Sequence, residues 1–493
     1  MSSPERSFVN ANDRHVETKL GPDRASFVLV SFEGPDRYSQ AGGLGVRVAG
    51  LADSLAALEY ETHLFFIGDP DAPGEERTGN GRLVLHRWSQ WISARCPAGV
   101  YDGEAAKVAD VTASLPAHLV ETLLAPAILA GRIPLVIFEE WQTAECACRV
   151  SEMLTTLGLR DRAVITWNAN NCYGFERIDW HRLDAATTIT TISRYMRSII
   201  RSYGADARVI PNGIPESALD PTAAAELAHI RQAAAARAGV AFLFKMARWE
   251  REKGWTQALD AVRHARAADG TDAFASSRRP ILLARSGGPT GAGTGLLHEA
   301  EARGLHVVSF DSECAFAGGL ADAVRAGADV IGLRFGVSPV LARALYAAVD
   351  GVLANSISEP FGLVGLETMA AGGVTYTGGT GEDYAVQGRN AIVLQTLDPG
   401  EIVSWWNELA SSPRLAARIR RAARKTASAY TWTAVVELLL ASLTQQANHQ
   451  AARQATHEAW RRPTPVPRKS PGLHGTKFIR PSEHGLAEAQ LSG

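Results

Sequence analysis

The chain has 493 residues, of which 46% are hydrophobic and 21% charged, with a formal net charge of -2. This length exceeds what one ordinary hydrophobic core needs, so the sequence predicts two domains plus an appendage. The near-zero charge gives no reason to expect a nucleic-acid partner. The polar N-terminus lacks the apolar stretch of a secretion signal, and no run approaches the roughly 20 apolar residues that span a bilayer. We therefore expect a cytoplasmic protein without a transmembrane segment.

Apolar strands alternate with helical stretches along the chain, which is the pattern of a parallel sheet covered by helices. The predicted strands of the first half are residues 26–32, 62–68, 134–140, 163–170 and 186–193. The predicted strands of the second half are residues 240–248, 280–288, 306–311, 350–356 and 374–379. Two such units predict a cleft between them, where ligands bind at the carboxyl ends of the strands.

The domain boundaries follow from breaks in this pattern. Between the two sets of strands lies "VIPNGIPESALDPTAAA", whose Pro, Asn and Gly residues indicate a hinge. The predicted units are a disordered or extended segment 1–24, an α/β domain 25–218, a second α/β domain 219–428, a closing helix 429–447 and a basic, Pro-rich tail 448–493. Such a tail cannot bury enough apolar surface to fold alone and is predicted to be largely disordered, although it could instead dock on a partner or an anionic surface.

The stretch "SEPFGLVGLETMAAGG" carries two carboxylates, Glu359 and Glu367, eight positions apart. The pattern puts Glu359 in the loop before a helix and Glu367 about one turn inside that helix. A helix start offers unpaired N–H groups and partial positive charge, which suit a phosphate or a polar sugar. Gly362 would let such a ligand approach the backbone closely. The alternative is a pair of ordinary glutamates, one favoured by the helix dipole and one on the surface.

Two further segments have features of a diphosphate site. The stretch "FKMARWEREKGW" ends a predicted strand with Arg248 and puts Lys253 at a predicted helix start. A planar guanidinium and an ammonium can together neutralise a diphosphate, although basic residues at loop tips are often simply solvated. Near the amino end, Gly42 and Gly43 lie between the first strand and the first long helix. This G-G-x-G turn is not the dinucleotide-binding G-x-G-x-x-G pattern.

In order and spacing, the Gly-Gly turn, "VIPNGI", the R-x4-K-G stretch and the E-x7-E stretch "EPFGLVGLE" resemble the retaining glycosyltransferases of the glycogen synthase and sucrose synthase superfamily, the large family 4 group. The resemblance runs from about Ser26 to Leu443. It implies an α/β fold of the GT-B type, with two Rossmann-like, doubly wound parallel-sheet domains facing across a cleft. It also implies that "YTWTAVVELL" forms a closing helix that packs back on the first domain.

The same resemblance implies a hexosyltransferase that moves a sugar from a nucleotide diphosphate-sugar to a saccharide or small-molecule acceptor. The nucleotide-sugar is a co-substrate, and neither a cofactor nor a metal is expected, since Arg248 and Lys253 would neutralise the leaving group. Glu359 would contact the donor sugar and Glu367 the ribose. The remaining donor-binding residues implied by the resemblance are Gly42, Gly43, Phe361, Gly362 and Leu363.

The sequence departs from the family in two places. The first loop reads Gln40-Ala41-Gly42-Gly43 where glycogen synthases carry Lys-Thr-Gly-Gly. The stretch "FEEWQTAE" matches the family's His-Asp-Trp-Gln-Thr-Ala, with Glu139 in the position of the His. That carboxylate is predicted to be catalytic, and it could act as a base, stabilise positive charge or signal lost activity. The predicted acceptor side consists of Glu140, Asn168, Asn170 and Trp91, whose amides and ring suit a sugar.

Three functions are consistent with these residues. The first is the glycosyltransferase. The second is a nucleotide-sugar epimerase on the same fold, in which Glu139 and Glu140 act near the sugar. The third is a non-catalytic regulator that binds a sugar nucleotide. Cations placed for a leaving group favour turnover over mere binding. The sequence does not distinguish the nucleotide base, the acceptor or the oligomeric state.

Overall fold

The structure is a computed structural model that describes residues 20–78, 80–222, 224–267, 278–287 and 294–461. Residues 1–19 of the predicted N-terminal segment and 462–493 of the predicted tail lie outside the described residues. Leu20 is buried, and its carbonyl accepts a hydrogen bond of 2.6 Å from the Tyr60 hydroxyl. The last residues before the first strand are therefore held against the first domain.

The first domain contains an eight-stranded sheet with the order β3-β4-β2-β1-β5-β6-β7-β8. All neighbouring strands are parallel except β3 and β4. The strands are β1 Ala25–Val30, β2 Glu61–Ile67, β3 Glu75–Thr78, β4 Leu83–Trp88, β5 Ile133–Glu139, β6 Val164–Ala169, β7 Thr188–Thr191 and β8 Arg208–Val209.

The second domain contains a seven-stranded parallel sheet with the order β11-β12-β10-β9-β13-β14-β15. The strands are β9 Val240–Ala247, β10 Arg279–Ser286, β11 Val307–Phe310, β12 Val330–Leu333, β13 Gly351–Ala354, β14 Thr375–Thr377 and β15 Ile392–Val393. Because β9 and β13 are neighbours at the centre of this sheet, the loops that follow them meet at one edge.

Helices connect the strands in both domains. Those of the first domain are α1 Gly43–Ala57, α2 Gln90–Ser93, α3 Glu104–His118, α4 Ala125–Leu129, α5 Ala144–Thr156, α6 Trp180–Ala186 and α7 Arg194–Ser202. The second domain and the chain end contain α8 Ala224–Ala235, α9 Trp255–Ala267, α10 Thr294–Ala302, α11 Glu313–Arg325, α12 Pro339–Ala348, α13 Leu363–Ala370, α14 Pro399–Ser411, α15 Pro413–Ala427 and α16 Trp432–Arg461.

The ten predicted strands are confirmed, with ends that differ by a few residues. Most of their side chains are buried on both faces, as in β1, where all six residues are buried, whereas those of the edge strand β11 are exposed or half-buried. The prediction missed the antiparallel pair β3–β4 and the short strands β8, β12 and β15. The residues of β3 are exposed or half-buried, and β8 and β15 have only two residues each, so they carry little hydrophobic pattern.

Helix α16 packs on the first domain. Trp432, Val436 and Leu439 are buried in one apolar cluster with Leu51 and Leu55 of α1. The closing helix, predicted over residues 429–447, begins at Trp432 and continues beyond its predicted end to Arg461. The residues from 448 to 461 are mostly good helix formers without a proline, which explains the extension. Residues through Ala451 form one compact unit, and those from Ala452 belong to a second.

One helical stretch meets the length and composition of a membrane span. This stretch, Glu104–Leu129, is one continuous helix. It consists of α3, a π-helical segment Leu119–Leu124 and α4. The core helices of soluble proteins can pass the same test, and Val111 and Leu115 of this stretch are buried in the core of the first domain. Among the described residues, no other helix meets the criterion.

Candidate functional site

The loop between β13 and α13 brings the E-x7-E residues to the edge of the second sheet. The loop ends at Gly362, which precedes α13 and has φ +81°, a left-handed conformation that favours glycine. Phe361 is buried just before it, and Leu363 begins the helix. The amide of Gly365 donates to the Gly362 carbonyl at 3.2 Å, which leaves the amides of Leu363 and Val364 without intrahelical acceptors, so these two can bind an anion.

Lys253 and Glu359 are in direct contact. The Lys253 ammonium donates a 2.9 Å hydrogen bond to Glu359 Oε2, and the two side chains are 18% and 22% exposed. The Glu359 loop is held by Thr380, whose hydroxyl accepts from the Glu359 amide at 2.8 Å and donates to the Glu359 carbonyl at 3.1 Å. A partly exposed charge pair on an anchored loop can exchange its internal contact for contacts with a ligand.

Glu382 is a site residue that the sequence analysis missed. It is 4% exposed, its Oε2 accepts from the Thr380 amide at 2.9 Å, and its Oε1 has no hydrogen-bond partner among the described residues. A Cβ built on Gly362 would lie 2.7 Å from Glu382 Cγ, so this carboxyl group lies directly beside the start of α13. Burial, and secondarily Glu359, raise its pKa to about 7. The sequence feature that could have indicated Glu382 as a site residue is the glycine-rich stretch "GGTGED" after β14.

Glu367 is the fifth residue of α13. Its Oε2 accepts a hydrogen bond of 3.2 Å from the Tyr346 hydroxyl of α12, and burial raises its pKa to about 7. Arg248 follows β9 but is exposed, and its guanidinium contacts Glu250 Oε1 at 3.2 Å. The structure therefore joins Lys253 with Glu359, whereas Arg248 and Glu367 have other partners.

In the first domain, the Gly42–Gly43 turn surrounds a carboxylate of the chain itself. Glu33 Oε2 accepts from the amides of Ala41, Gly42 and Gly45 at 3.2, 2.9 and 3.0 Å, at the start of α1. Its Oε1 accepts from the Tyr101 hydroxyl at 2.7 Å. The sequence analysis missed Glu33, although an acid shortly after the first strand is a usable signal. Gly43 is exposed, and a Cβ built on it would meet nothing within 4 Å.

Glu139 lies at the centre of a buried polar network. It is 0% exposed, Arg47 Nε of α1 lies 3.2 Å from its Oε1, and Asn168 and Asn170 donate to its Oε2 at 2.8 and 2.7 Å. Arg47 also donates to Oδ1 of Asn212 in the hinge at 2.5 Å. The network joins α1, two strand ends and the hinge, and both oxygens of Glu139 accept hydrogen bonds within it.

Glu140 has an unusual backbone conformation. Its φ of +68° and ψ of +168° fall in a region that is essentially restricted to glycine. The conformation is held by its neighbours, because its carbonyl accepts from Trp167 Nε1 at 2.9 Å and its amide donates to the Asn168 carbonyl at 2.9 Å. Its Oε1 accepts from the Asn170 amide at 2.6 Å. Burial raises the pKa of Glu140 to about 8, and the charge of Glu139 contributes.

This pKa shift predicts how stability depends on pH. Because the folded-state pKa of Glu140, about 8, lies above the unfolded value, the folded chain retains this proton while the unfolded chain loses it. The resulting stability is fully present below the unfolded pKa and is lost as pH rises to about 8. This contribution makes the free energy of unfolding of the wild type fall as pH rises from about 5 to 8. In Glu140→Gln the contribution is absent, so the slope of unfolding free energy against pH should be less negative than in the wild type by up to about 1.4 kcal/mol per pH unit.

Urea denaturation of both proteins across this range measures the difference, and Glu121→Gln, which changes an exposed glutamate, serves as the control. Parallel pH profiles for wild type and Glu140→Gln would contradict the raised pKa of Glu140.

Of the other predicted acceptor residues, Asn168 and the Oδ1 atom of Asn170 are buried, whereas Trp91 is exposed. Asn168 is buried and uses both ends of its amide, since its Oδ1 accepts from the Thr190 hydroxyl at 2.9 Å. Asn170 Oδ1 is buried and has no hydrogen-bond partner among the described residues. Trp91 is 58% exposed, and the Arg95 guanidinium lies over its ring at 5.4 Å.

Two polar contacts join the domains beside the acidic residues. At the start of α7, the Tyr195 hydroxyl lies 2.8 Å from the Ser358 hydroxyl. The Arg194 amide and Nε donate to the Asp383 carboxylate at 2.8 and 3.0 Å. Since Ser358 and Asp383 are the chain neighbours of Glu359 and Glu382, the first domain reaches the acidic site of the second. Within the described ranges, no group of three or more His, Cys, Asp or Glu side chains is arranged to hold a metal ion.

Comparison with solved structures identifies the fold. Sucrose-phosphate synthase from Thermosynechococcus elongatus aligns at 16% identity and a TM-score of 0.58, covering 88% of this chain and 100% of that one. The catalytic domain of starch synthase IV from Arabidopsis thaliana, bound to ADP and acarbose, aligns at 15% identity and a TM-score of 0.57, with coverages of 88% and 100%. HepE from Anabaena in complex with UDP aligns at 15% identity and a TM-score of 0.54, with coverages of 85% and 100%.

The chain has the two-domain, Rossmann-like GT-B fold, and the predicted fold class is confirmed. Residues 41–218, most of the first domain, match the family model described as Glycosyltransferase Family 4. A comparison with curated proteins found no significant match.

Proposed function

We propose that the protein is a metal-independent, retaining glycosyltransferase that moves a hexose from a nucleotide diphosphate-sugar to a saccharide or small-molecule acceptor. The observation that carries the proposal is the Lys253–Glu359 pair, 2.9 Å apart at the start of α13 and beside the buried carboxyl group of Glu382. This arrangement combines a cation and helix amides for a diphosphate with carboxyl oxygens for a sugar. The GT-B fold and the Family 4 match of the first domain agree with it.

The donor's leaving group determines the roles of the basic residues. Cleavage of the bond between sugar and diphosphate builds negative charge on the phosphates and positive charge on the sugar. Lys253 would release Glu359 to bind the phosphates, and the exposed Arg248 would turn from Glu250 toward them. Charges fixed where the transition state develops its own charge lower the barrier. These two cations would therefore stabilise the negative charge on the leaving diphosphate, a role that a metal ion has in other enzymes.

The carboxyl groups would hold the sugar and the ribose. Glu359, once released by Lys253, would accept from hydroxyls of the donor sugar. Glu382 Oε1, buried without a partner among the described residues, would do the same from the other side of Gly362. Glu367 would bind the ribose through its free lone pairs. Because a buried unpaired polar atom is costly, Glu382 has a physical reason to bind a ligand.

The first domain would present the acceptor. Glu140 and the buried, unpartnered Oδ1 of Asn170 lie next to one another, so they would bind acceptor hydroxyls. Retention by direct displacement would bring the acceptor hydroxyl to the same face of the sugar as the departing diphosphate that Lys253 would neutralise. The amides of Ala41, Gly42 and Gly45 already bind Glu33, so a phosphate contact from this turn would come from Gly43.

An epimerase is the weaker alternative on the same fold. Epimerisation would require Glu139 and Glu140 to act near the sugar. Glu139, however, is 0% exposed, and both of its oxygens accept hydrogen bonds from Arg47, Asn168 or Asn170, so it is committed to contacts within the protein. We therefore propose that Glu139 stabilises the first domain and that Glu140 alone faces the acceptor.

The experiment is to incubate the purified protein with a panel of nucleotide sugars, with and without simple saccharide acceptors. Release of nucleoside diphosphate that depends on an acceptor, with the anomeric configuration of the product unchanged by NMR, is the expected result. A changed sugar on an intact nucleotide would instead establish an epimerase. Binding without either reaction would establish a regulator and contradict the proposal.

A further inference from the structure

The second domain contains a buried lysine that contacts no carboxylate among the residues that the structure describes. Lys245 lies on β9, is 1% exposed, and donates hydrogen bonds to the Leu353 carbonyl at 3.1 Å and to Asn355 Oδ1 at 2.6 Å. Its ammonium also lies 5.2 Å from the centre of the Trp255 ring. Burial of an amine is costly, and an apolar residue would fill a central strand at no such cost. The contacts of Lys245 must therefore offset this cost.

Asn355 connects Lys245 to the turn that follows Lys253. The Asn355 Nδ2 group donates to the Gly254 carbonyl at 3.2 Å and to Gln257 Oε1 at 2.8 Å. Since a lysine can only donate, Lys245 fixes the amide with its oxygen toward the strand and its NH2 group toward Gly254. Gly254 has φ +66°, and a Cβ built on it would lie 2.1 Å from the Asn355 carbonyl oxygen. The Lys253–Gly254 turn therefore packs directly against Asn355.

The contacts form a continuous path from the strand to the site. Lys245 holds Asn355, Asn355 holds Gly254, and the residue before Gly254 is Lys253, which pairs with Glu359 at 2.9 Å. We propose that Lys245 is a positioning residue that fixes the Lys253–Gly254 turn through Asn355 and thereby sets the affinity of the second domain for a nucleoside diphosphate. This inference rests on the proposed function of the same site.

The role does not require Lys245 to be charged. Burial lowers the pKa of Lys245 to about 7, the charge of Lys253 lowers it further, and that of Glu359 opposes both. A neutral amine still has two N–H donors, and the two oxygen acceptors, Leu353 O and Asn355 Oδ1, match that number. A neutral amine can also accept a hydrogen bond, but the Gly254 carbonyl can only accept from Asn355 Nδ2, so the amide keeps the same orientation on either side of neutral pH.

The test is a double-mutant cycle read by nucleoside diphosphate binding. Dissociation constants for ADP, UDP and GDP are measured by calorimetry for wild type, Lys245→Met, Lys253→Ala and the double variant. We expect Lys245→Met to weaken binding about tenfold in the wild-type background and less than about twofold in the Lys253→Ala background, because a residue that acts through Lys253 loses its effect when Lys253 is absent. Asn355→Asp keeps an oxygen toward Lys245 but loses the donor to Gly254, so it should weaken binding in the same way. If Lys245→Met does not fold, the cycle is measured with Asn355→Asp instead.

A matched control is available in the first domain. Lys107 is also fully buried, and its ammonium donates to the carbonyls of Gly99, Val100 and Asp102. Lys107→Met should lower the melting temperature and leave the dissociation constant within about twofold, which separates loss of a buried ammonium from loss of the turn.

The outcomes distinguish this inference from the proposed function. If wild type binds none of the three nucleoside diphosphates, both fail. If wild type binds and Lys253→Ala weakens binding, but Lys245→Met and Asn355→Asp bind as wild type does, only the positioning role is overturned. Equal losses from Lys245→Met in both backgrounds would also overturn it, since Lys245 would then act independently of Lys253.

Discussion

Replacing Lys253 by alanine should reduce turnover about a hundredfold or more. The ammonium is the charged group closest to Glu359 at the start of α13, and loss of one preorganised group that stabilises transition-state charge typically has an effect of this size. Stability should change little, because the pair is partly exposed and such pairs contribute about 0–1 kcal/mol. The measurement is kcat with a saturating nucleotide-sugar donor, together with a thermal melt.

The control for Lys253→Ala is Lys425→Ala, which removes an exposed lysine in the last turn of α15. That variant should turn over as wild type does. Turnover of Lys253→Ala within about threefold of wild type, with the fold intact, would show that Lys253 does not act on the leaving group.

Replacing Arg47 by methionine should lower the free energy of unfolding by about 3 kcal/mol or more. The substitution leaves Glu139, which is 0% exposed, as a buried charge without its cation, and breaking a buried pair from one side typically costs about 3–5 kcal/mol. Asn168 and Asn170 still donate to Glu139 and place the expected loss at the lower end of that range. Urea denaturation monitored by circular dichroism measures the change.

The matched control is the double variant Arg47→Met with Glu139→Gln. It removes both charges and keeps an acceptor for the two asparagine amides, so it should recover most of the lost stability. A double variant as unstable as Arg47→Met alone would mean that the loss comes from the packing of residue 47 and not from the unpaired Glu139.

The central elements of both domains were predictable because their signals are local. Long apolar runs predicted β1, β5 and β9, and the glycine and helical pattern after β13 placed Glu359 before α13 and Glu367 within it. The fold class followed from this alternation together with the motif resemblance. Strands β3, β8 and β15 escaped prediction because they are short or exposed at the sheet edges, where pairing depends on the neighbouring strand.

The partners of the site residues were not predictable, because they come from distant parts of the chain. Arg47 and Glu139 are 92 positions apart, and Tyr101 and Glu33 are 68 apart. A sequence motif identified Glu139 but could not indicate that Arg47 neutralises it. Glu382 was missed for the same reason, since it reaches Gly362 only when the loop after β14 packs against the loop after β13.

The most direct test of the account is a crystal structure of the protein with a bound nucleoside diphosphate. We predict that the phosphates lie within hydrogen-bonding distance of Lys253, Arg248 and the first-turn amides of α13, with the ribose at Glu367. Phosphates bound elsewhere, with Lys253 still paired to Glu359 and Arg248 still turned to Glu250, would contradict it.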